Sequence, residues 1–189
     1  MSRKVIILCG SPHKEGNTNT VAGWVAQGAR GKGAEVEVID AVALKYKVGG
    51  CVGCMGCQSS KEFRCVIDDE AAPIIARLPE ADVLAFATPV YFYGPTAHLK
   101  RFIDRMFSLF KFSADGKVRQ AFHKTRVALI ATAAGGLDDG LSLTEQLFRK
   151  IAAFSGKEMQ SLLVPNAEGA DKEELRRKAV AFGESLARV

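Results

Sequence analysis

Four cysteines lie in one short, glycine-rich stretch of the chain. Cys51, Cys54, Cys57 and Cys65 are spaced C-x2-C-x2-C-x7-C. Three thiolates at i, i+3 and i+6 can converge on one inorganic centre when the backbone coils tightly, and a fourth from a flexible loop can complete the ligand set. Iron-sulfur ligation is therefore the first chemical interpretation. The match to the common bacterial ferredoxin pattern is partial, because the last spacer is longer than three residues and no proline follows Cys65.

Three other interpretations of these cysteines stay open. A structural zinc site also takes four thiolates, but it usually presents two well-separated C-x2-C pairs. Disulfides are less favoured, because the N-terminal residues do not resemble a signal peptide and cytosolic thiols stay reduced. The cysteines could also be vacant in an ordinary glycine-rich loop. Cys9 stands apart in the apolar run 5–9 and is expected to be a small buried hydrophobe.

Length and composition favour one domain. A chain of 189 residues with 48% hydrophobic content can bury a single good core, so we predict one domain over residues 1–189 with a cysteine-rich insertion loop at about 46–66. No apolar run approaches the roughly 18 residues of a membrane helix, and we expect a soluble, cytoplasmic protein without a membrane partner. The formal charge of +5 comes from basic residues interspersed with acids, as at 173–178, so no nucleic-acid partner is expected.

Apolar runs of strand length alternate with helical patterns five times, which is typical of a parallel sheet covered on both faces. Strands are predicted at residues 4–10, 35–40, 82–88, 126–131 and 158–164, and helices at 18–31, 70–78, 96–110, 141–154 and 171–188. These elements predict an α/β three-layer sandwich with a five-stranded parallel sheet of order 2-1-3-4-5. Ligands of such sheets bind where the carboxyl ends of the first and third strands meet.

The loop after the first strand, at residues 10–20, has the composition of a phosphate site. It runs into a helix, whose free N–H groups could bind a phosphate together with Ser11, Asn17, Thr18 and Asn19. The loop matches neither the triphosphate P-loop nor the G-x-G-x-x-G fingerprint, so a terminal monophosphate is favoured. The alternative is helix capping by Asn17 or Thr18 without any ligand.

A second loop at the same edge of the sheet, at residues 88–96, has three consecutive aromatic residues between two prolines. Successive side chains of an extended segment cannot all face the core, so a flat aromatic ligand is predicted to rest there. A third loop at 132–136 follows the fourth strand, and its small residues allow close approach of a ligand near Thr132 and Gly135. A plain glycine-rich turn is the alternative for this third loop.

Several segments together resemble the iron-sulfur flavoproteins within the flavodoxin-like, NADPH-dependent FMN reductase superfamily. The resemblance is carried by residues 10–12 with 16–18, by the cysteine run followed by 68–69, by 88–92 and by 99–105. It covers the first 105 residues well and the remainder mainly in pattern. A flavodoxin-like fold, bound FMN and a [4Fe-4S] cluster are what this resemblance implies.

The resemblance also implies roles for individual residues. Ser11, Asn17 and Thr18 would hold the FMN phosphate, while His13 stands where the family commonly has an arginine, so that its phosphate contact would depend on protonation. The isoalloxazine would be held by Pro89, Val90, Tyr91, Phe92, Tyr93 and Gly94. Cys51, Cys54, Cys57 and Cys65 would ligate the cluster. Of the acidic pair after the cysteines, Asp68 or Asp69 is predicted to cap the second helix.

The leading functional hypothesis is an FMN-dependent electron-transfer flavoprotein, in which the cluster passes electrons between FMN and a redox partner such as a ferredoxin. The alternative is an NAD(P)H-dependent reductase of quinones, nitroaromatics or free flavin, with vacant or structural cysteines. A third hypothesis is a cluster or metal sensor that signals through a partner. The absence of an appended partner-binding domain counts against it. No Ser-His-Asp or paired-carboxylate arrangement is legible, so no catalytic residue is assigned.

A homodimer or homotetramer is predicted from apolar residues that the core does not explain. The aromatics at 91–93 would be exposed on a monomer. Leu109 and Phe112 fall off the apolar stripe of the predicted helix at 96–110, and they are interpreted either as ordinary exposed hydrophobes or as part of a subunit interface. Patches of this kind usually mark an interaction site.

Overall fold

A computed structural model of the protein describes residues 2–154 and 156–188. The elements in chain order are β1 (Lys4–Cys9), α1 (Asn17–Gly31), β2 (Glu35–Asp40), α2 (Gly56–Ser59), α3 (Ala71–Arg77), β3 (Val83–Tyr91), β4 (Gly94–Pro95), α4 (Ala97–Arg105), β5 (Phe110–Phe112), β6 (Val118–Gln120), β7 (Arg126–Thr132), α5 (Ser142–Phe154), β8 (Met159–Val164) and α6 (Lys172–Ala187). Within these residues no helix is long and apolar enough to cross a membrane.

The central sheet confirms the predicted topology. Its parallel strands run in the order β2-β1-β3-β7-β8, which is the order 2-1-3-4-5 of the five predicted strands. One further strand, β4, pairs with β3 in the antiparallel direction, so the sheet has six strands rather than five. Cys9, at the carboxyl end of β1, is paired with Asp40 of β2 and Ala87 of β3. The loops that leave β1, β2 and β3 therefore begin at one edge of the sheet.

Alternation of side chains along the buried strands produces the three layers. Ile6, Leu8 and Phe86 pack on one face with residues of α3, α4 and α5. Val5 and Ile7 pack on the opposite face with α1 and α6. Each fully buried side chain of this size contributes about 1.5–3 kcal/mol through removal of apolar surface from water. The sheet is therefore a rigid support for the loops at its edge.

Two glycines bring α1 and α6 into close contact. A Cβ atom at Gly28 would lie 2.1 Å from the carbonyl oxygen of Val180, and one at Gly183 would lie 2.0 Å from that of Val25. No larger residue can occupy either position without separating the helices. The helix that begins at the phosphate loop is thus held along its length by α6.

The predicted helix at 96–110 is wrong at its C-terminal end. Helix α4 ends at Arg105, a 3-10 turn covers Met106–Leu109, and Phe110 begins an antiparallel hairpin of β5 and β6. The apolar periodicity continues past Arg105 because these residues also pack inward, in another backbone conformation. Leu109 is fully buried, so its interpretation as an exposed or interface residue is also wrong. Phe112 is partly exposed and stacks on Phe107 at 5.2 Å between ring centroids.

The segment at 88–96 is a hairpin rather than an open loop. Strand β3 continues to Tyr91, beyond its predicted end at residue 88, and Tyr91 pairs with Gly94 across a two-residue turn. Phe92 and Tyr93 form this turn with φ angles of +46° and +69°. Left-handed backbone at both positions is the signature of a type I′ turn, which favours asparagine and glycine. The side chain of Phe92 is nevertheless 98% exposed. The other predicted elements agree with the structure to within one residue at each end.

The exposed turn allows a test of the predicted oligomer. Replacing Phe92→Asn together with Tyr93→Gly supplies the residues that a type I′ turn prefers, so the hairpin should persist while the exposed aromatic surface is lost. We expect the unchanged protein to sediment as a dimer or tetramer at micromolar concentration and the double variant to sediment as a monomer with unchanged circular dichroism. A monomeric unchanged protein, or an oligomeric variant, would contradict this role for the turn.

Candidate functional site

A cavity of about 300 Å³ opens at the carboxyl ends of β1, β3 and β7. The predicted flavin contacts that line it are Ser11, His13, Asn17, Thr18, Pro89, Val90, Tyr91 and Thr132. The other lining residues are Gly16, Ala133, Ala134, Ala167 and Glu168. The sequence analysis included the first three in the loops at 10–20 and 132–136, but it did not single out Ala167 or Glu168. Ala167 and Glu168 follow β8 in a segment without a recognisable motif, so only the fold could show that they belong to this cavity.

The predicted phosphate site lies at the first turn of α1, at one end of this cavity. Gly16 is the N-cap residue and provides no side-chain hydrogen bond, and no acidic residue lies in the first turn. The capping interpretation of Asn17 and Thr18 is therefore wrong. The hydroxyls of Thr18 and Thr132 instead form a buried hydrogen bond of 2.7 Å, which joins α1 to the end of β7. The N–H groups of the first turn are left without a side-chain cap, and the positive end of the helix dipole faces the cavity.

Some of the predicted flavin contacts do not line the cavity. Asn19 donates from Nδ2 to the carbonyl oxygen of His13 at 2.9 Å and so stabilises the loop itself. Gly135 lies where a Cβ atom would approach Asp139 Oδ2 to 2.5 Å, and its lack of a side chain allows that turn to close. The other predicted flavin contacts that do not line the cavity are Phe92, Tyr93 and Gly94, which lie at the tip of the hairpin.

A close contact between β1 and α4 connects the phosphate loop with the hairpin. The hydroxyl of Thr96 donates to the carbonyl oxygen of Gly10 at 2.6 Å and accepts from the N–H of Leu99 at 3.1 Å. A Cβ atom at Gly10 would lie 2.4 Å from the Cβ of Leu99. Position 10 therefore requires glycine, because the chain after β1 passes close to the start of α4. This contact fixes the two sides of the cavity relative to each other.

The cysteines surround a second, small cavity of about 30 Å³. Cys51, Cys54, Cys57 and Cys65 all line it; the first two are exposed and the last two are buried. Met55 and Gly53 adopt left-handed backbone, which coils this segment tightly. In the parts of the chain that the structure describes, no three His, Cys, Asp or Glu side chains are close enough together to hold a metal ion. The thiols therefore share one cavity without converging on a single point.

A buried ion pair lies beside this cysteine cavity. Arg105 donates from Nη1 to Asp69 Oδ2 at 2.6 Å, and its side chain has no exposed surface. Its Nη2 donates to the carbonyl oxygen of Ile67 at 2.9 Å and lies 3.5 Å from Cys65 Sγ. Two donors that line the cavity, Arg105 Nε and Ser108 Oγ, are buried without a hydrogen-bond partner. A buried donor without an acceptor costs about 1–3 kcal/mol, so a ligand that offered acceptors here would stabilise both side chains.

Asp69 is held as an anion by its surroundings. Its Oδ1 accepts from the N–H groups of Ala71 and Ala72 at the start of α3, which confirms the prediction that this acidic pair caps the second helix. Burial opposes ionisation, but the hydrogen bonds from Arg105 and from the N–H of Lys47 outweigh it and lower the pKa of the Asp69 carboxyl. The sequence indicated the cap but not the ion pair, since Arg105 is 36 residues away along the chain.

Cys9 behaves as the sequence predicts for a buried hydrophobe. Its side chain packs among Val5, Ile7 and the residues of α1. Burial, assisted by the negative charge of Asp40, raises the pKa of the Cys9 thiol to about 12. A thiol in this environment stays protonated and does not act as a ligand or nucleophile at neutral pH.

A third and larger cavity, of about 380 Å³, is mainly apolar. Phe86, Phe110 and Phe154 are among the residues that line it, and its charged lining residues are Asp104 and Lys150. None of the predicted cofactor contacts lines this cavity. It therefore does not coincide with the phosphate loop or with the cysteines, although Phe107 lines both this cavity and the cysteine cavity.

Comparison with known proteins identifies a family and several relatives. The sequence model of a family described as NADPH-dependent FMN reductase matches residues 3–171. An iron-sulfur flavoprotein of Methanocaldococcus jannaschii is 35% identical over 102 residues, which are 54% of this chain and 51% of that protein. An iron-sulfur flavoprotein of Archaeoglobus fulgidus is 34% identical over 103 residues, 54% of this chain and 45% of that protein. The matched part of the chain thus spans about half the length of these curated relatives.

Solved structures with the same fold cover the whole chain. An NAD(P)H:quinone oxidoreductase from Methanothermobacter marburgensis has a TM-score of 0.78 at 18% identity, and the match covers 100% of this chain and 99% of that one. An FMN-dependent NADH-azoreductase from Bacillus anthracis in complex with FMN has a TM-score of 0.72 at 14% identity, covering 98% of this chain and 97% of that one. At such low identity the likeness shows the fold alone.

The Asp69 ion pair predicts a pH-dependent stability. Asp69→Asn keeps an acceptor for the helix cap but leaves Arg105 buried without a counter-charge, so we expect a loss of about 3–5 kcal/mol in the free energy of unfolding at pH 7. Because the folded pKa of Asp69 is lowered, the ion pair stabilises fully above the unfolded pKa of about 3.9 and loses its effect as the pH falls through the folded value.

Urea unfolding of both proteins at pH 7 and near pH 3 measures this dependence. The difference between Asp69→Asn and the unchanged protein should narrow as the pH falls below about 4. Asp68→Asn removes a neighbouring, exposed carboxylate that pairs with Arg64, and it should cost less than about 1 kcal/mol. An Asp69→Asn effect that is equally small, or that does not vary with pH, would contradict the assignment.

Proposed function

The chain belongs to the NADPH-dependent FMN reductase family, and on that basis we propose that it is an FMN-dependent oxidoreductase whose four clustered cysteines hold a [4Fe-4S] cluster. The cluster would exchange electrons between FMN and a redox partner such as a ferredoxin. The observation that carries the cluster is the set of four cysteines around one cavity that also contains buried donors without acceptors. The archaeal relatives named iron-sulfur flavoproteins support the same assignment.

The residues of the 300 Å³ cavity fit FMN. The uncapped first turn of α1 and the side chains of Ser11, Asn17 and Thr18 would bind the phosphate, because N–H groups and the helix dipole favour an anion and no acidic side chain in that turn opposes it. The segment at 89–91 and the alanines at 133–134 would contact the ring system. The cavity has the volume and the mixed polar and apolar lining of a small-molecule site.

The residues of the cysteine cavity fit an iron-sulfur cluster. Four thiols provide the ligand set. Arg105 Nε and Ser108 Oγ are buried without acceptors. A cluster would add inorganic sulfide to the four thiolate sulfurs, whereas a zinc site would offer the thiolate sulfurs alone. Nearby N–H donors are among the means by which a protein adjusts the reduction potential of such a cluster. A vacant cavity would leave both donors without a partner.

When bound, FMN supplies two-electron chemistry and the cluster supplies one-electron transfer, so the two together can connect a two-electron donor with a one-electron acceptor. The chain's own residues bind and orient these groups. The Thr96–Gly10 hydrogen bond fixes the phosphate loop against the hairpin that would carry the ring. The Arg105–Asp69 pair fixes the ends of the cysteine segment.

The second candidate function is an NAD(P)H-dependent reductase of quinones, nitroaromatics or free flavin that works without a cluster. It is favoured by the absence, among the described residues, of any three side chains placed to hold a metal ion, and by the exposure of Cys51 and Cys54. The solved quinone oxidoreductase and azoreductase with the same fold are consistent with it. The presence or absence of iron and sulfide separates the two candidates.

The phosphate assignment predicts discrimination between FMN and riboflavin. Asn17 lines the cavity at the first turn of α1, and a hydrogen bond to a charged group is worth about 1.5–3 kcal/mol. Asn17→Ala should therefore weaken FMN binding roughly tenfold or more and leave riboflavin binding nearly unchanged, as measured by quenching of flavin fluorescence. Thr20→Ala, an exposed change one turn along the same helix, is the control and should bind FMN normally. Equal affinity of the unchanged protein for FMN and riboflavin would refute the phosphate site.

The cluster assignment predicts iron and acid-labile sulfide in protein purified without oxygen. Changing any one of Cys51, Cys54, Cys57 or Cys65 to serine should remove most of both, because each thiol is a ligand. Cys9→Ser is the matched control and should retain them. FMN should remain bound in all five variants, since the two cavities share no lining residue.

Zinc would give the same pattern among the variants but no sulfide and no paramagnetic signal after reduction. An unchanged protein that binds FMN, contains neither metal, and reduces quinones with NAD(P)H would establish the second candidate function in place of the first.

A further inference from the structure

A buried lysine lies against the cysteine segment. Lys111, the middle residue of β5, is 5% exposed. Its ammonium group donates to the carbonyl oxygens of Cys57, Ser60 and Glu62, the last two at 3.1 Å and 2.6 Å. All three acceptors lie in the segment that begins at the third cysteine, Cys57, and ends at the fourth, Cys65. The lysine therefore holds this segment folded around one positive charge.

Among the residues that the structure describes, this charge has no counter-ion. The structure pairs Lys111 with main-chain carbonyls and places its ammonium 5.5 Å from the ring centroid of Phe63, and within the described residues it forms no ion pair with a carboxylate. Fully buried lysines are rare unless they are paired, because removing an ammonium group from water is costly. Arg105, the other buried cation near the cysteines, is already neutralised by Asp69. Of these two buried cations beside the cysteines, Lys111 is thus the one that no carboxylate of the described residues neutralises.

The position of Lys111 is fixed on both sides by one glutamine. Gln58 donates from Nε2 to the carbonyl oxygen of Phe110 at 2.9 Å, and its Oε1 accepts from the N–H of Phe112 at 3.1 Å. The glutamine side chain thereby pairs with β5 as a neighbouring strand would. Gln58 directly follows Cys57, so these two hydrogen bonds hold β5 against the cysteine segment on either side of Lys111. The main chain of β5 and the ammonium group of Lys111 are therefore both hydrogen-bonded to the cysteine segment.

We propose that Lys111 is a positioning residue whose charge is balanced by the cluster and raises the cluster's reduction potential. The inference rests on the proposed [4Fe-4S] cluster. Four thiolates make such a cluster anionic, and reduction by one electron from dithionite adds a further negative charge. A fixed cation nearby therefore favours the reduced form over the oxidised one.

The test compares three variants of the complete, cluster-loaded protein in a redox titration with dithionite, followed by electron paramagnetic resonance. Lys111→Met removes the charge and keeps an unbranched side chain. We expect it to reduce the ratio of reduced to oxidised cluster roughly tenfold at a fixed potential, which is a shift of ~59 mV to lower potential for one electron. Lys111→Arg retains the charge and should stay within about threefold of the unchanged protein.

The matched control is Lys117→Met, which removes an exposed lysine beside the same hairpin and should leave the potential unchanged. If Lys111→Met is isolated without iron but with its full content of FMN, retention of iron replaces potential as the readout. Lys111→Arg must then retain iron and sulfide, and its loss of both would overturn the inference.

The outcomes separate this inference from the proposed function. A protein with cluster and FMN whose potential is the same in Lys111→Met and in the unchanged chain contradicts the role of Lys111 alone. An unchanged chain without iron or sulfide contradicts the cluster, and therefore the proposed function itself. Circular dichroism and FMN content of each variant report whether the fold is intact, and neither depends on the charge at position 111.

Discussion

The Arg105–Asp69 ion pair is the interaction on which the cysteine region depends. Asp69 accepts from the N–H of Lys47 before the cysteines and from Ala71 after them, while Arg105 at the end of α4 reaches Cys65. One pair thus fixes both ends of the cysteine segment to the core. A buried ion pair need not stabilise a fold more than apolar residues would, but losing one partner is costly. The ion pair therefore gives the cysteine segment one defined path between its two ends.

The two cavities are built by different means. The 300 Å³ cavity is formed by the edge of the sheet, where the loops after β1, β3 and β7 meet, and small residues such as Gly16 and Ala133 line it. The cysteine cavity is formed by loops that pack on α4 and on the hairpin at 110–120. The first is a property of the topology, because the carboxyl ends of parallel strands always meet at one edge. The second depends on a few polar contacts between segments distant in sequence.

Turn chemistry and polar pairing account for the differences between prediction and structure. The aromatics at 91–93 were interpreted as a loop, but Tyr91 pairs with Gly94, and the left-handed turn at Phe92 and Tyr93 has none of the asparagine or glycine that usually reveals it. The helix predicted through Phe110 ends at Arg105, and the chain from Phe110 onward forms a hairpin whose first strand is hydrogen-bonded by the side chain of Gln58. In both places the backbone is paired in a way that the local pattern did not indicate.

The sequence by itself predicted the sheet order and most strand and helix bounds to within about one residue. It also placed the loop at 10–20 at the edge of the sheet and four cysteines in one short segment. These predictions depend on local periodicity and residue spacing, which are present in the sequence before the chain folds. Only the tertiary structure decided that Leu109 is buried, that Arg105 pairs with Asp69, and that Lys111 enters the cysteine segment. Each of these depends on a partner tens of residues away, and a local pattern holds no information about which distant groups the fold will bring together.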